Sequence, residues 1–142
     1  MPDRVNDDIL RDILTKTRTI ALVGASANPQ RASHEVMQFL QAQGYRILPV
    51  NPILAGSDLL GERVYASLES LPEVPDMIDI FRNSAAAGEV VEEALALPHR
   101  PKVIWMQLEV INQAAAARAE SAGMTVVMDR CPKIEYQRLM PK

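Results

Sequence analysis

Cysteine is nearly absent. Cys131 is the only one in 142 residues, which excludes an internal disulfide framework and any cysteine-rich zinc site. Histidine is scarce as well: His34 and His99 lie far apart and give no metal-ligand spacing. A surplus of positive charge is also missing. Lys and Arg number 15 against 18 Asp and Glu, a formal net charge of −3. Broad nucleic-acid binding needs cationic groups to displace counterions, so that class is excluded, while one small basic pocket for a phosphorylated ligand is not. No apolar run approaches the length that crosses a bilayer. The start, Met1-Pro2-Asp3-Arg4-Val5-Asn6-Asp7-Asp8, lacks the apolar stretch of a signal peptide. The expectation is a cytoplasmic protein with neither nucleic acid nor membrane as partner. Internal repeats are missing, and low complexity is confined to two short alanine clusters.

What is present is ordinary globular composition, 48% hydrophobic and 23% charged. A chain of this size buries roughly two-thirds of its unfolded surface. It reads as one domain over residues 1–142, with residues 1–17 carrying a helix that packs on the rest. That helix spans Asp7–Lys16, with Ile9, Leu10, Ile13 and Leu14 on one face. Thr19-Ile20-Ala21-Leu22-Val23 is a continuous apolar run ending at Gly24, the signature of a strand covered on both faces. After a loop, Ser33 is the expected N-cap of a helix that turns Val36, Met37 and Leu40 inward and ends at Gly44.

The unit then recurs. Strands are expected over residues 45–50, 76–81, 102–106 and 124–128, with a short one at 63–65 and a turn of helix at 67–71. Pro49 suits only a strand end or a sheet edge. Ser84 and Asn112 are the expected caps of two further helices, the first carrying Ala87, Val90, Val91, Ala94 and Leu95 at helical spacing. Gly123 ends the second, and a helical tail covers residues 133–139. Strands alternating with helices imply an α/β, three-layer, Rossmann-like doubly wound fold, its mostly parallel sheet flanked by helices on both faces. In such sheets ligands bind beyond the carboxyl ends of the strands.

The first of those ends reads Gly24-Ala25-Ser26-Ala27-Asn28-Pro29-Gln30-Arg31-Ala32-Ser33. A loop leading into a helix start offers backbone N–H groups to an anion. Yet the dinucleotide fingerprint is incomplete: Ser26 and Pro29 occupy its second and third glycine positions. The second strand ends in Asn51-Pro52, where NAD-binding domains place a carboxylate for the ribose hydroxyls. Arg31 and Arg82 stand at separate strand ends, suited to gripping a polyphosphate through forked hydrogen bonds. Coenzyme A, with its diphosphate and ribose 3′-phosphate, fits this set better than NAD. Taken singly, each arginine is equally a solvated surface charge. Asp76 and Asp79 fall on opposite faces of a strand, which argues against a paired-carboxylate site. Trp105 reads as core, and Cys131 as a small buried residue. Asp129 and Arg130 are expected to pair with each other or with loop backbone.

Several stretches in order carry a resemblance: Ile20-Ala21-Leu22-Val23-Gly24-Ala25-Ser26, Asn28-Pro29 with Arg31 and Ser33, Gly44-Tyr45-Arg46, Pro49-Val50-Asn51-Pro52, Asp79-Ile80-Phe81-Arg82, Val103-Ile104-Trp105-Met106-Gln107-Leu108 and Val127-Met128-Asp129-Arg130-Cys131. Over residues 9–139 the chain resembles stand-alone CoA-binding proteins, similar to the CoA-binding domain of the succinyl-CoA synthetase alpha subunit. The resemblance implies that coenzyme A or an acyl-CoA is bound across the strand ends; it implies no enzyme activity, and the expectation is a binding protein without catalysis of its own, as a monomer or small homo-oligomer. It implies contacts from Gly24, Ala25, Ser26, Asn28, Pro29, Arg31 and Ser33 to the phosphates. It also implies contacts from Asn51, Pro52, Phe81, Arg82 and Asn83 to the nucleotide. The chain departs from the pattern at His34, Ile53 and Glu109, where the family often carries tyrosine, a basic residue and glycine. An acyl-CoA-processing enzyme or ligase component is the alternative reading, and an NAD(P)-dependent protein the third.

Overall fold

The computed structural model describes residues 5–140. Along the chain run α1 (Asp7–Lys16), β1 (Thr19–Val23), α2 (Ala32–Ala42), β2 (Arg46–Val50), β3 (Asp58–Leu59) and β4 (Glu62–Arg63). They are followed by β5 (Met77–Ile80), α3 (Ser84–Leu95), β6 (Val103–Met106), α4 (Gln113–Ser121), β7 (Thr125–Val127) and α5 (Pro132–Leu139). Five strands form one parallel sheet in the order β2-β1-β5-β6-β7, and β3 and β4 make a small antiparallel hairpin. The doubly wound α/β expectation is met, and Pro49 lies on an edge strand, where its missing N–H costs no ladder bond. No helix among the described residues is long and apolar enough to cross a membrane.

Strand residues alternate between two apolar layers. Ile20 and Leu22 pack with Leu10, Leu14, Met37 and Leu40 from α1 and α2. Ala21 and Val23 pack with Val90, Val91, Ala115 and Ala119 from α3 and α4. The alanine clusters thus find their use: Ala86 and Ala87 of α3 and Ala115 and Ala116 of α4 are buried, small enough for those helices to lie close together. Across the first layer, Arg138 of α5 forks onto Asp7 of α1 at 2.8 and 3.0 Å, tying the terminal helices together.

Local chemistry sets the helix ends. The Asn6 side chain accepts from the Ile9 N–H at 2.9 Å and starts α1. Gly44 and Gly123 follow α2 and α4 at φ +100° and +91°, a region that suits glycine. Two caps differ from expectation: Arg31 and Asn83, not Ser33 and Ser84, occupy the cap positions of α2 and α3. Residues 67–71 form bends and a turn held by Ser70 instead of helix, with the Ser67 N–H donating to Ser70 Oγ at 3.1 Å. The short strand expected at 63–65 is divided. Arg63 belongs to β4, and Tyr65 makes a lone parallel bridge to Val50.

Asp76 and Asp79 have unlike surroundings. Asp76 Oδ2 accepts from the Arg18 and Thr19 N–H groups at 2.9 and 3.0 Å. Asp79, between Leu22 and Trp105 in register, is fully buried, and neither carboxyl oxygen has a hydrogen-bond partner. Burial pushes its pKa well above the usual carboxylate range.

Candidate functional site

Strand order reverses between β1 and β5, which makes their carboxyl ends the switch point of the sheet. There two segments of the backbone nearly touch. Gly24 stands at φ +94°, and a Cβ on it would lie 2.4 Å from the Phe81 carbonyl oxygen. Only glycine satisfies both the backbone angle and the approach. Phe81 N–H donates to Val23 O at 2.8 Å, fixing the pinch from the other side.

The first loop spends many of its amides internally. Gly24 and Ala25 both donate to Val50 O, at 3.0 and 3.3 Å. Asn28 N–H donates to Ser26 Oγ at 3.1 Å, and Gln30 N–H to Asn28 Oδ1 at 3.0 Å. The loop is therefore no open row of donors. The anion-ready feature is one step later, where α2 begins at Arg31 without any side-chain cap bond. Asn51 is committed too. Its Nδ2 donates to Ala25 O at 2.8 Å, and its Oδ1 accepts from Ile53 N–H at 2.8 Å, tying the β1 and β2 loops together.

Two cavities open from this pinch. One, of about 530 Å³ on the α2 side, is lined by Gly24, Ala25, Ser26, Asn28, Arg31, Ser33, Asn51 and Phe81 from the predicted set, joined by Ala27, Ile53 and Leu54. The other, of about 360 Å³ on the α3 side, is lined by Gly24, Asn51, Pro52 and Arg82, joined by Ile53, Ala66, Ala86, Glu89, Val90 and Glu93 among others. Pro29 and Asn83 line neither, and Asn83 instead caps α3, its Oδ1 accepting from Ala86 N–H at 2.8 Å. The two arginines do not share one cavity: Arg31 serves the first and Arg82 the second. Both are exposed, and neither has an ion-pair partner among the described residues.

Sequence reasoning missed the pair Glu89 and Glu93. Their signal was present, as carboxylates four apart on the helix that leaves β5, beside inward-facing Ala86 and Val90. Glu93 Oε1 accepts from Leu68 N–H at 3.4 Å, while Glu89 is exposed and has no partner among the described residues.

The β6 and β7 ends of the same edge are built differently. Glu109 and Asp129 both stand in left-handed backbone, at φ +69° and +59°, and Glu109 N–H donates to Asp129 Oδ1 at 2.7 Å. That angle gives a physical reason for glycine at position 109. Arg130 pairs with the buried Glu135 at 3.1 Å rather than with Asp129. Trp105 is core, its indole N–H donating to Arg130 O at 2.8 Å. Gln107 is buried with its side-chain carbonyl unpartnered, and Cys131 and His34 are buried as well.

Comparison with known proteins agrees with this architecture. A family profile described as a CoA binding domain matches residues 18–137. The uncharacterized Bacillus subtilis protein YneT is 35% identical over 127 residues, which cover 89% of this chain and 91% of that protein. A solved structure from Thermus thermophilus is 41% identical with a TM-score of 0.90, covering 96% of this chain and all of that one (100%). A hypothetical protein from Pyrococcus horikoshii is 36% identical with a TM-score of 0.89, over 97% of this chain and 94% of its own.

Proposed function

The chain belongs to the CoA-binding domain family, and on that premise we propose that it binds coenzyme A or an acyl-CoA across the β1 and β5 ends and catalyses no reaction itself. The observation that carries the reading is the uncapped start of α2. Arg31, which has no ion-pair partner among the described residues, and Ser33 line one cavity that carries no carboxylate, while the His34 and Glu35 N–H groups turn back onto Arg31 O at 3.1 and 3.2 Å. A helix start with a guanidinium beside it suits a diphosphate, because dipole and charge act on the same anion. The Gly24–Phe81 pinch supports the same reading, since it holds the chain low enough for a ligand to cross from one cavity to the other.

In this reading Arg31 and Ser33 hold phosphate oxygens, with Gly24, Ala25, Ser26 and Asn28 shaping the wall. Asn51 acts by positioning the loop, and Arg82 meets the nucleotide from the α3 side. Calorimetric titration with coenzyme A, NAD and ATP tests it. Coenzyme A should bind tightest of the three, and tighter binding of NAD would refute the assignment. The non-catalytic part has its own test: a panel of acyl-CoA thioesters followed by a free-thiol assay should show no release above buffer.

A further inference from the structure

We infer that the ribose subsite of this crevice is built for a free hydroxyl, so that the preferred ligand is the pantetheine nucleotide lacking its 3′-phosphate. The inference rests on the coenzyme A reading above and concerns which form of that ligand the site selects.

The end of β2 carries Asn51 and no carboxylate, yet α3 brings carboxylates to the same place. Glu89 and Glu93 line the α3-side cavity together with Asn51, Pro52 and Ile53. Against them stands one cation, Arg82, so the charged side chains lining that cavity sum to −1. Glu93 leans on the Leu68 N–H, but Glu89 has no partner among the described residues and keeps its acceptor oxygens for a ligand. A carboxylate at a nucleotide's ribose accepts from hydroxyls, whereas a ribose carrying phosphate is met by arginine. A phosphate here would bring a charge of about −1.5 to −2 against an already negative wall.

Ile53 points the same way. It is 91% exposed at the lip shared by both cavities, where a cation could reach a ribose phosphate from either side. An isoleucine offers that phosphate no donor, Arg31 lies in the other cavity, at the start of α2, and the one guanidinium on this side, Arg82, is outnumbered by two carboxylates. A free ribose sets its hydroxyls against Glu89 and its carbon face against Ile53.

Titration calorimetry of the full chain with 3′-dephospho-coenzyme A and with coenzyme A tests the inference. The dephospho form should bind about tenfold tighter, the scale of one unfavourable charge contact. Ile53→Lys should erase or invert the preference, and Glu89→Gln should narrow it by raising affinity for coenzyme A. Both positions are exposed, and circular dichroism checks that the variants fold. Equal or tighter binding of coenzyme A to the wild type overturns the inference and leaves the coenzyme A reading standing. An unchanged ratio in Ile53→Lys overturns it likewise. If the wild type binds neither nucleotide, the coenzyme A reading itself fails and takes the inference with it.

Discussion

The helices α2 and α3 leave the two strands that flank the crevice, and they begin in opposite ways. α3 is closed by Asn83, whose side chain accepts from the third residue on, Ala86. α2 has Arg31 in the cap position and no side-chain bond there. A good cap contributes about 0.5–2 kcal/mol, and α2 forgoes it. Both starts occupy equivalent places beyond a parallel strand, so the difference is not imposed by topology. One start is satisfied within the protein and contributes stability. The other has no side-chain cap and sets Arg31 and Ser33 in the wall of a cavity.

The largest effect should come from the contact that joins the two loops. Gly24→Ala adds a methyl against the Phe81 carbonyl and strains a left-handed φ. It should cost about 3 kcal/mol or more in chemical denaturation, and an unshifted midpoint would mean that the pinch does not exist in solution. Next comes the open start. Arg31→Ala should weaken coenzyme A by about 1.5–3 kcal/mol in calorimetry, with the unfolding midpoint unmoved. Arg31→Asp sharpens the contrast, since it supplies the missing cap. It should raise stability by about 1 kcal/mol while removing measurable binding. If stability and affinity moved together in that variant, the two starts would not differ in the way described.

The two carboxyls at and near β5 offer a parallel contrast, satisfied at Asp76 and orphaned at Asp79. Asp79→Asn keeps the shape but cannot ionise, and it should stabilise the protein at neutral pH, by about 1.4 kcal/mol for each unit by which burial raises the folded-state pKa. The sign follows from the raised folded-state pKa. Below the unfolded value of about 3.9 the group is neutral in both states, and the wild type carries no ionisation penalty. As pH climbs from there toward the raised folded value, the unfolded chain ionises and the wild type loses stability. The gain from Asp79→Asn should therefore open above about pH 4, and a pH-independent gain would reject the account. The smallest effect belongs to the closed start. Asn83→Ala should cost about 1 kcal/mol and leave coenzyme A affinity nearly unchanged.

The fold was legible because its signals are local and repeated. Apolar runs such as Thr19–Val23 end at turn residues, α1 shows one apolar face, and Gly44 and Gly123 mark helix ends with a backbone angle few other residues accept. The caps were harder. Asn83-Ser84 places two good capping residues side by side, and no local preference separates them. Arg31 is a poor cap by any propensity, so nothing local marked it as the start of α2. The cavity wall on the α2 side was legible where it lies in one loop, as at residues 24–33. Glu89 and Glu93 escaped because their meaning is tertiary: only packing of α3 against the sheet brings them beside Asn51–Ile53. Asp79 escaped in the same way, since an aspartate at a strand's third position does not announce that both its neighbours in register are Leu22 and Trp105.

The rim of the sheet at β2 has a further consequence. An exposed parallel edge is an invitation for a stranger's strand to dock and for filaments to grow. Here Tyr65 N–H donates to Pro49 O and Asn51 N–H to Tyr65 O, both at 2.9 Å, so a crossing segment of the same chain occupies that rim. Proline withholds one donor from it besides. At the opposite rim β7 is three residues long, too short to template a newcomer. Both margins of the sheet are thus poor templates for an added strand, while the crevice at the strand ends stays open.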